Sequence, residues 1–544
     1  MNRLNLFAYN PSRYPLFVFL LGVLFFFPFL GYLHLFDWDE INFAESSREM
    51  LVSGDYFHVQ INYMPFWEKP PLFMWLQSSC MGLFGVNEFA ARFPNALFGL
   101  ITLLSIYSIG KKHMDAKFGM MWALVYLMSF LPHIYFKSGI IDPVFNYFIF
   151  MSIYFLIRTI HDQKNKYALL GGLFAGLAIL TKGPVGLLLI LLTYFVYQCI
   201  TKFKNPGKII HILLFALASA CITVIWILPE IAQNGFSTLG DFITYQIRLL
   251  TTGDAGHEQP FFYHPLVVFV GCFPMSIFAL PLFRARKFES ALDLTKWMMV
   301  LFWVVMILFT IVKTKIVHYS SMCWLPLSFC ASYYLHTRFK DVNMSKTPAL
   351  LFLTGGILFS LLLIALPIAG VYRQSIIPLV KDQFAVACMK QDVPWQLWTV
   401  AWGVLFLAGI VAGYFYLRRN AVHCFLTVQS VVTGLVLFGF LLTVVPNIEK
   451  HSQGPAIQFY EKFSTQKVYL FPVGFKSYAH YFYGKVPQEN NAQRQDETFL
   501  LYGKLDRHAL FVTKANSDFL DQKKEGFRLL FKEGGFKFYE RIQP

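Results

Sequence analysis

The sequence is short of charged residues and of cysteines. Only 14% of its 544 residues are charged, and its eight cysteines include no CxxC pair. Most of the cysteines fall in or beside apolar segments, where a free thiol packs as a small hydrophobic group. The sequence therefore predicts neither a metal–thiolate site nor a disulfide framework. It also contains no GxxxxGK[ST] or GxGxxG loop, so no nucleotide-binding domain is indicated.

What the chain has instead is a succession of apolar runs. Of its residues 56% are hydrophobic and 60 are phenylalanine, more apolar surface than a water-soluble core absorbs. Because a bilayer-spanning helix needs about 20 mostly apolar residues, we predict a polytopic α-helical membrane protein with about 13 transmembrane helices. The predicted spans are Tyr14–Phe36, Glu88–Gly110, Phe118–Phe136, Pro143–Ile157, Tyr167–Leu180, Pro184–Ile200, Ile209–Ile227, Pro265–Phe283, Trp297–Val312, Tyr319–Leu335, Ala349–Gly370, Leu397–Leu417 and Phe425–Val445.

The basic residues indicate how these spans are oriented. The net charge of +15 could suggest nucleic acid, but Lys and Arg lie in short clusters between apolar runs. Such clusters mark cytoplasmic loops, so no nucleic-acid partner is predicted. If the chain crosses the membrane at each predicted span, every second loop between spans is rich in Lys and Arg. The stretch after the first span, the other alternate loops and the tail after Val445 are therefore placed on the non-cytoplasmic face.

The composition divides the chain after Val445. Residues 1–445 are predicted to form the membrane domain, and its first apolar run is interpreted as a retained span because it lacks a small-residue cleavage site. Residues 446–544 are predicted to form a small soluble α/β domain on the outer side. Its predicted helix is Gly454–Phe463, and its predicted strands are Lys467–Phe471, Glu497–Leu501, Ala509–Thr513, Phe527–Phe531 and Phe536–Glu540.

Charge is concentrated in the stretch that follows the first span. From Phe36 to Leu72 the sequence holds nine Asp, Glu, Arg and Lys residues. Within it, Ile41–Val52 separates apolar from charged side chains, which is typical of a helix lying in the membrane interface. Ser237–Leu250 has a similar character. The two regions, about residues 37–85 and 233–262, are predicted to be interfacial and to roof a cavity between spans.

Four charged residues of this stretch have both a structural and a functional interpretation. Asp39 and Glu40 either end the first span, solvated by water, or place a carboxylate in a cavity. In a cavity, burial and neighbouring groups would shift the pKa of the carboxylate so that it can act as a base. Glu68 and Lys69 precede two prolines that stiffen the backbone. They form either a weak surface ion pair or part of a rigid site.

Other candidates lie at the ends of later spans or in loops. Asp142 precedes a proline at the head of a span, where it is either a helix cap or a site carboxylate. Lys182 is interpreted as a turn residue that snorkels toward water. Arg248 binds either a lipid headgroup or a substrate, and an anionic lipid is the expected partner of Lys315, His318 and Tyr319.

A histidine and a carboxylate are candidate ligands of a divalent metal ion. His257 and Glu68, with water completing the coordination shell, suit such an ion. The alternative for His257 is a solvated position in a loop that follows two glycines.

Carboxylates, cations and a histidine on one face of the bundle favour an enzyme that acts on a lipid-borne anionic substrate. A transporter of a lipid-linked or polysaccharide substrate is the first alternative, although the paired broken helices typical of carriers are absent from the sequence. A non-catalytic membrane scaffold is the second alternative.

Motifs in the charge-dense stretch and beyond it carry a resemblance to a known superfamily. They are Asp39-Glu40, Ala44-Glu45, Arg48-Glu49-Met50, Gly54-Asp55, Glu68-Lys69-Pro70-Pro71-Leu72, Asp142-Pro143, Thr181-Lys182-Gly183, Arg248, His257, and Lys315 with Tyr319 and Pro326. Together they resemble the GT-C glycosyltransferases related to aminoarabinose transferase and the protein O-mannosyltransferases. The resemblance covers about the first 330 residues.

The resemblance implies transfer of a sugar, with inversion, from a polyprenyl (undecaprenyl) phosphate to a lipid A-like, glycan or protein acceptor. It places the reaction at the periplasmic face of a bacterial plasma membrane. It implies that Asp39 is the base or acceptor-orienting carboxylate and that Asp142 assists. The implied substrate-binding residues are Glu40, Arg48, Lys69, Arg248, Lys315 and Tyr319, with Lys69 and Arg248 on the lipid phosphate. The implied metal ligands are Glu68 and His257.

The sequence departs from the aminoarabinose transferases immediately after the Asp-Glu pair. Those enzymes typically continue with Pro-Arg-Tyr, whereas this chain has Ile41-Asn42-Phe43. The change removes a charge and a hydroxyl beside the proposed base. The resemblance therefore leaves the sugar and the acceptor open.

Overall fold

Helices form most of the described chain, and a four-stranded sheet follows them. The computed structural model describes residues 6–204, 206–251, 259–283, 294–340, 346–489, 496–523 and 526–542. Up to Thr443 the helices pack around one large apolar core. Their bounds are α1 Tyr14–Phe26, α2 Asp39–Ser53, α3 Leu72–Phe84, α4 Glu88–His113, α5 Ala116–Leu127, α6 Phe130–Tyr135, α7 Asp142–Asp162, α8 Asn165–Lys182, α9 Val185–Ile200, α10 Ile209–Thr251, α11 Tyr263–Gly271, α12 Met275–Phe283, α13 Leu294–Ile311, α14 Trp324–Lys340, α15 Lys346–Val371, α16 Arg373–Ile376, α17 Gln383–Lys390, α18 Ala401–Arg418 and α19 Val422–Thr443.

Seven helices within the described ranges are long and apolar enough to cross a membrane. They are Glu88–His113, Asp142–Asp162, Ile209–Phe236, Leu294–Ile311, Lys346–Val371, Leu397–Arg418 and Val422–His451. The chain is therefore a multi-pass membrane protein, and the predicted fold class is confirmed. Each predicted span overlaps helical structure, although the count of thirteen spans stays a prediction.

Some predicted spans are interrupted. The first helix ends at Phe26, and the chain turns through residues 27–38 before α2 begins at Asp39. The third span is divided between α5 and α6, the eighth between α11 and α12, and the tenth begins as the 3-10 turn Val317–Cys323. Pro28 and Pro274, which lack an amide hydrogen, explain two of these breaks. Asp39 and Glu40 thus begin α2, and the prediction that they end the first span is wrong.

The second helix is enclosed by protein on all sides. Every residue of α2 from Glu40 to Met50 is buried, and the helix ends where Gly54 adopts a left-handed conformation with φ of 73°. It packs against α3, against the short strand β1 Gln60–Ile61, which pairs with β2 Met64–Pro65, and against a C-terminal helix. The predicted charged face of this helix therefore does not reach solvent.

The charges on α2 are satisfied by neighbouring groups. Arg92 of α4 binds both carboxylate oxygens of Glu40, at 3.0 and 2.9 Å. Arg48 makes two 2.7 Å hydrogen bonds to Glu45. The Glu49 carboxyl group accepts two backbone amides from the β1–β2 turn, at 2.5 and 2.7 Å. Buried charges are tolerated when they are paired and hydrogen-bonded in this way.

The C-terminal sheet has the strand order β3-β4-β6-β5. β3 is parallel to β4, whereas β6 is antiparallel to both β4 and β5. The elements are α20 Val445–His451, α21 Gly454–Lys462, β3 Tyr469–Val473, α22 Ala479–Phe482, α23 Glu497–Tyr502, β4 Ala509–Lys514, β5 Phe527–Glu533 and β6 Phe536–Arg541. The strand predicted at Glu497–Leu501 is wrong, because the Asp496 side chain accepts the Thr498 amide at 2.8 Å and starts a helix.

This C-terminal domain packs directly on α2. Ile41 and Ala44 of α2 share a buried apolar cluster with Tyr460 of α21 and Phe538 of β6. Arg48 also donates to the Val486 carbonyl oxygen at 2.9 Å. The domain is therefore joined to the membrane bundle through the helix that begins with Asp39.

The pair between Glu40 and Arg92 supports a first prediction. Removing one partner leaves the other charge buried alone, so Arg92→Ala should lower the free energy of unfolding by about 3–5 kcal/mol. The exposed Arg528, which pairs with Glu540 on the sheet surface, offers a control. Arg528→Ala should cost about 1 kcal/mol or less in detergent unfolding experiments. Equal losses in the two variants would contradict a dominant role for the buried pair.

Glu49 supports a second prediction, on pH dependence. Burial and the neighbouring Glu45 raise the pKa of Glu49 well above its ordinary value. Between the ordinary and the raised pKa the folded state binds a proton that the unfolded state has lost, so stability falls as pH rises through this window. Glu49→Gln should reduce the fall in melting temperature between about pH 5 and pH 8. A control, Glu533→Gln on the exposed end of β5, should keep the wild-type fall, and a fall unchanged in Glu49→Gln would contradict the raised pKa.

Candidate functional site

A cavity of about 350 Å³ lies where several helix ends meet on the predicted outer face. Its walls come from the start of α7, the junction of α8 and α9, the end of α13 and the 3-10 turn before α14. Its roof is the part of α10 that follows a kink at Gly235, where φ is 77°. Most lining side chains are apolar, including Phe145, Leu189 and Phe309. The cavity can therefore hold an apolar chain with a polar end.

Asp39 stands at the rim of this cavity next to a histidine. The Asp39 carboxylate lies 3.3 Å from Nε2 of His318, which lines the cavity. The other ring nitrogen of His318 lies 2.7 Å from the Tyr135 hydroxyl. Nε2 of His318 donates to Asp39, and the other ring nitrogen is in hydrogen-bond contact with the Tyr135 hydroxyl. This chain of contacts fixes the orientation of the carboxylate.

The surroundings of Asp39 favour its ionised form. Burial alone would raise its pKa, but the hydrogen bond to His318 and the positive charges of His318 and two nearby lysines outweigh burial. The pKa of Asp39 is therefore lower than usual. At neutral pH this side chain is a carboxylate that can accept a proton.

Lys182 and Asp142 form a buried pair inside the cavity. Nζ of Lys182 lies 2.6 Å from Oδ1 of Asp142 and 5.3 Å above the ring of Tyr319. The carboxylate holds the ammonium group where the end of α8 meets the start of α7. Asp142 therefore positions a cation, and the prediction that it assists catalysis stays untested.

Lys69 adds a second ammonium group to the same cavity. Burial lowers the pKa of Lys69, the Glu68 carboxylate at 3.8 Å opposes this shift, and the charge of Lys182 adds to it. Among the described residues that line the cavity, two lysines face one carboxylate, Asp142. The Glu68 and Asp39 carboxylates lie close by, but two ammonium groups at one apolar cavity can both donate to an anion.

Two predicted substrate-binding residues serve the packing of α2. Glu40 is 3% exposed and is bound by Arg92, and Arg48 is 5% exposed and is bound by Glu45. The structure therefore places both away from the cavity lining, in contacts that hold α2 against α4 and the C-terminal domain.

Two other predicted residues lie near the cavity without lining it. Arg248 is exposed on the roof helix, with its guanidinium group 5.0 Å from the ring of Tyr245. Lys315 is buried in the segment between α13 and the 3-10 turn. Tyr319, by contrast, lines the cavity, and its role in substrate binding stays a prediction.

The predicted metal ligands stay untested. His257 lies outside the described residues, and the Glu68 carboxylate faces the Lys69 ammonium group. In the described ranges no three His, Cys, Asp or Glu side chains converge on one point. Glu68 by itself does not make a metal site, so the divalent ion stays a prediction.

Sequence reasoning did not assign two residues that the structure brings into the site. The sequence favours a snorkelling turn residue for Lys182 and a partner of anionic lipid for His318. Both stand at helix ends on the same predicted face as Asp142. That shared placement was the available signal, but only the fold shows that these ends converge.

Part of the chain matches a protein-family model. Residues 68–226, which include Lys69, Asp142 and Lys182, match the dolichyl-phosphate-mannose-protein mannosyltransferase family. An uncharacterized protein of Aquifex aeolicus (strain VF5) is 30% identical over 54% of this chain and 66% of its own length. An undecaprenyl phosphate-alpha-4-amino-4-deoxy-L-arabinose arabinosyl transferase of Wigglesworthia glossinidia brevipalpis is 28% identical over 55% of this chain and 54% of its own length. The matches span between about half and two thirds of these curated relatives.

The fold is shared with a solved structure along nearly the whole chain. ArnT from Cupriavidus metallidurans, in a crystal structure bound to undecaprenyl phosphate, superposes with a TM-score of 0.76 at 19% identity. The superposition covers 97% of this chain and 98% of ArnT. The resemblance found in the sequence is thereby confirmed: the chain is similar in fold to ArnT and, in part of its sequence, to the mannosyltransferase family and to the arabinosyl transferases.

Proposed function

We propose that this protein transfers a sugar from a polyprenyl phosphate to an acceptor at the periplasmic face of a bacterial plasma membrane. The acceptor is a lipid A-like molecule, another glycan or a protein. The observation that carries the proposal is the meeting of Asp39, Lys69 and Lys182 at one apolar cavity. A base and an anion site within one water-poor cavity are what such a transfer needs.

The cavity supports a donor that is both apolar and anionic. A polyprenyl phosphate has an apolar chain for the walls and a phosphate for Lys69 and Lys182. Both ammonium groups are largely withdrawn from water, with 15% and 12% of their side chains exposed. Their attraction for a phosphate is therefore stronger than it would be at the surface. The relatives named above for undecaprenyl phosphate support the same donor class.

The proposed reaction is a single displacement at the anomeric carbon. The acceptor hydroxyl oxygen forms a bond to this carbon, and the bond from the carbon to the phosphate oxygen breaks. The acceptor proton passes to the Asp39 carboxylate. The polyprenyl phosphate is the leaving group, and Lys69 and Lys182 stabilise its negative charge. Attack from the side opposite the phosphate inverts the anomeric centre. His318 acts as a positioning residue for Asp39.

The departure from the aminoarabinose transferases lies in packing and not in the cavity wall. Ile41 and Asn42 are fully buried in α2, and Phe43 packs on Phe73 with ring centroids 5.8 Å apart. None of these three side chains lines the described cavity. The tripeptide therefore affects the cavity through the packing of α2 and not by lining it.

Asp39→Asn tests the proposed base. The amide keeps the shape of the side chain but cannot take up the acceptor proton, so turnover should fall by about 10²-fold or more. Consumption of a radiolabelled undecaprenyl-phosphate sugar by the purified protein in membrane vesicles measures this. Donor binding should be kept, because the two lysines remain.

Asp392→Asn is the matched control, because Asp392 is fully exposed in a surface pair with Arg373. It should turn over at the wild-type rate. Wild-type turnover in Asp39→Asn would exclude the assigned base. A wild-type protein that moves the intact lipid-linked sugar across the membrane without consuming it would instead support a transporter.

Lys182→Ala tests the phosphate site. It should weaken binding of undecaprenyl phosphate by about tenfold or more, the loss expected for one charge-assisted contact. It should also lower stability, because Asp142 is left buried and unpaired. Native mass spectrometry and thermal unfolding in the same detergent measure the two effects.

A double variant separates the two roles of this lysine. Asp142→Asn together with Lys182→Ala removes the unpaired charge, so it should recover stability without recovering phosphate affinity. Lys381→Ala, at an exposed position between helices, should behave as wild type. Full recovery of affinity in the double variant would show that Lys182 has a structural role alone.

A further inference from the structure

A second, much smaller cavity lies inside the bundle beside the candidate site, and we call it the inner cavity. Its volume is about 10 Å³, which suits a single water molecule. Side chains from α4, α5, α6 and the starts of α7 and α14 enclose it. Asn146 of α7 lines both the inner cavity and the 350 Å³ cavity of the candidate site. The two cavities therefore share a wall.

Two polar side chains of the inner cavity have no hydrogen-bond partner within the described residues. Thr102 and Trp324 are 1% and 2% exposed, and the hydroxyl of the first and the indole N–H of the second are buried and unpaired. Elsewhere in the bundle, the hydroxyls of Thr159 and Thr193 donate to the carbonyl four residues earlier, at 2.8 and 2.6 Å. In the described part of the chain Thr102 makes no such bond. Because buried polar groups are normally paired, these two atoms indicate a small polar ligand.

Tyr135 connects the inner cavity to the proposed base. It lines the inner cavity, and its hydroxyl oxygen lies 2.7 Å from Nδ1 of His318. Nε2 of the same histidine lies 3.3 Å from the Asp39 carboxylate. If the tyrosine donates to His318, its oxygen can still accept a hydrogen bond, and if it accepts from His318, its own hydrogen needs an acceptor. A water molecule meets either need, because it both donates and accepts.

The backbone of His318 is held from the wall that the two cavities share. Asn146 donates to the Ser321 hydroxyl at 2.8 Å, and that hydroxyl donates to the His318 carbonyl at 2.6 Å. With the backbone held, the direction of the imidazole ring depends on the contacts of its two nitrogens with Asp39 and Tyr135. A partner that fixes the Tyr135 hydroxyl therefore also fixes the ring.

We infer that the inner cavity binds one ordered water molecule between Thr102, Trp324 and Tyr135, and that this water helps to orient Asp39. The role in orientation rests on the proposed function. The water accepts from the Trp324 indole, which can only donate, and forms hydrogen bonds with the hydroxyls of Thr102 and Tyr135. Thr102 and Tyr135 are thus positioning residues that act through His318.

X-ray radiolysis of the purified full-length protein, followed by mass spectrometry, tests for the water. Radiolysis of a bound water yields hydroxyl radicals that oxidise the side chains beside it, even where bulk solvent does not reach. Tyr135 and Trp324 should therefore be oxidised in the wild type, although they are 7% and 2% exposed. Trp122 is fully buried, with its indole N–H bonded to Ser328 at 2.8 Å, and should stay unlabelled. Labelling of Tyr135 and Trp324 no greater than that of Trp122 would overturn the inference.

Thr102→Val tests how the water is held and what it does. Valine keeps the shape of threonine without its hydroxyl, so labelling of Tyr135 and Trp324 should fall by up to about tenfold, the loss expected for one hydrogen bond. In the donor-consumption assay, kcat should fall by about three- to tenfold with KM for the donor unchanged, because a misdirected base affects the chemical step alone. Thr102→Ser keeps a hydroxyl and should retain both wild-type labelling and wild-type kcat.

Thr427→Val is the matched control. Thr427 is buried in α19, where its hydroxyl donates to the His423 carbonyl at 3.0 Å. This variant should keep wild-type labelling and turnover, and thermal unfolding shows that each variant is folded. Wild-type labelling or wild-type kcat in Thr102→Val would overturn the inference. The expected labelling in a wild-type protein that consumes no donor counts against the proposed transfer and not against the water site.

Discussion

The buried ion pair between Glu40 and Arg92 is the interaction on which the position of the site depends. A buried ion pair is tolerated only when each of its polar atoms has a hydrogen-bond partner. Here several segments of the chain supply those partners. Arg92 also donates to backbone carbonyls in the turn after α1, and Glu40 also accepts amides of Phe36 and Gly139. The turn after α1, α4 and the loop before α7 therefore meet at this pair. Because Asp39 is the residue before Glu40, its place at the cavity rim follows from the same contacts.

The charged residues of the stretch from Phe36 to Leu72 thus fall into two groups, those that pack α2 and those that face the cavity. Glu40 forms a buried ion pair with Arg92, and Glu45 forms one with Arg48. These pairs hold α2 between the membrane bundle and the C-terminal domain. Asp39 and Lys69, at the stretch's two ends, face the cavity or its rim. An excess of charge beside a membrane span points to a candidate site, but most of that charge holds α2 in place and only a small part of it faces the cavity.

The fold class and part of the site could be predicted from sequence, because hydrophobic runs and motif spacing are local properties. The runs located the helices of the bundle, and the motifs pointed to Asp39 and Lys69. The breaks near Pro28 and Pro274 were missed because the surrounding residues stay apolar through them. The role of Lys182 was missed because its partner Asp142 lies forty residues away on another helix. Pairings of this kind depend on which helix ends lie close together in the fold. Hydrophobic periodicity along the sequence does not predict this.

The two lysines have a further consequence for Asp39. In the structure their charges help to lower its pKa, which keeps it ionised but also makes it a weaker base. In the proposed function an anionic donor at Lys69 and Lys182 would offset those charges at close range and so raise the pKa of Asp39 toward its ordinary value. When the phosphate leaves, its negative charge grows and stays near the same lysines. Under that proposal the basicity of Asp39 would depend on whether the donor is bound, and in the structure the Asp39 carboxylate is paired with His318.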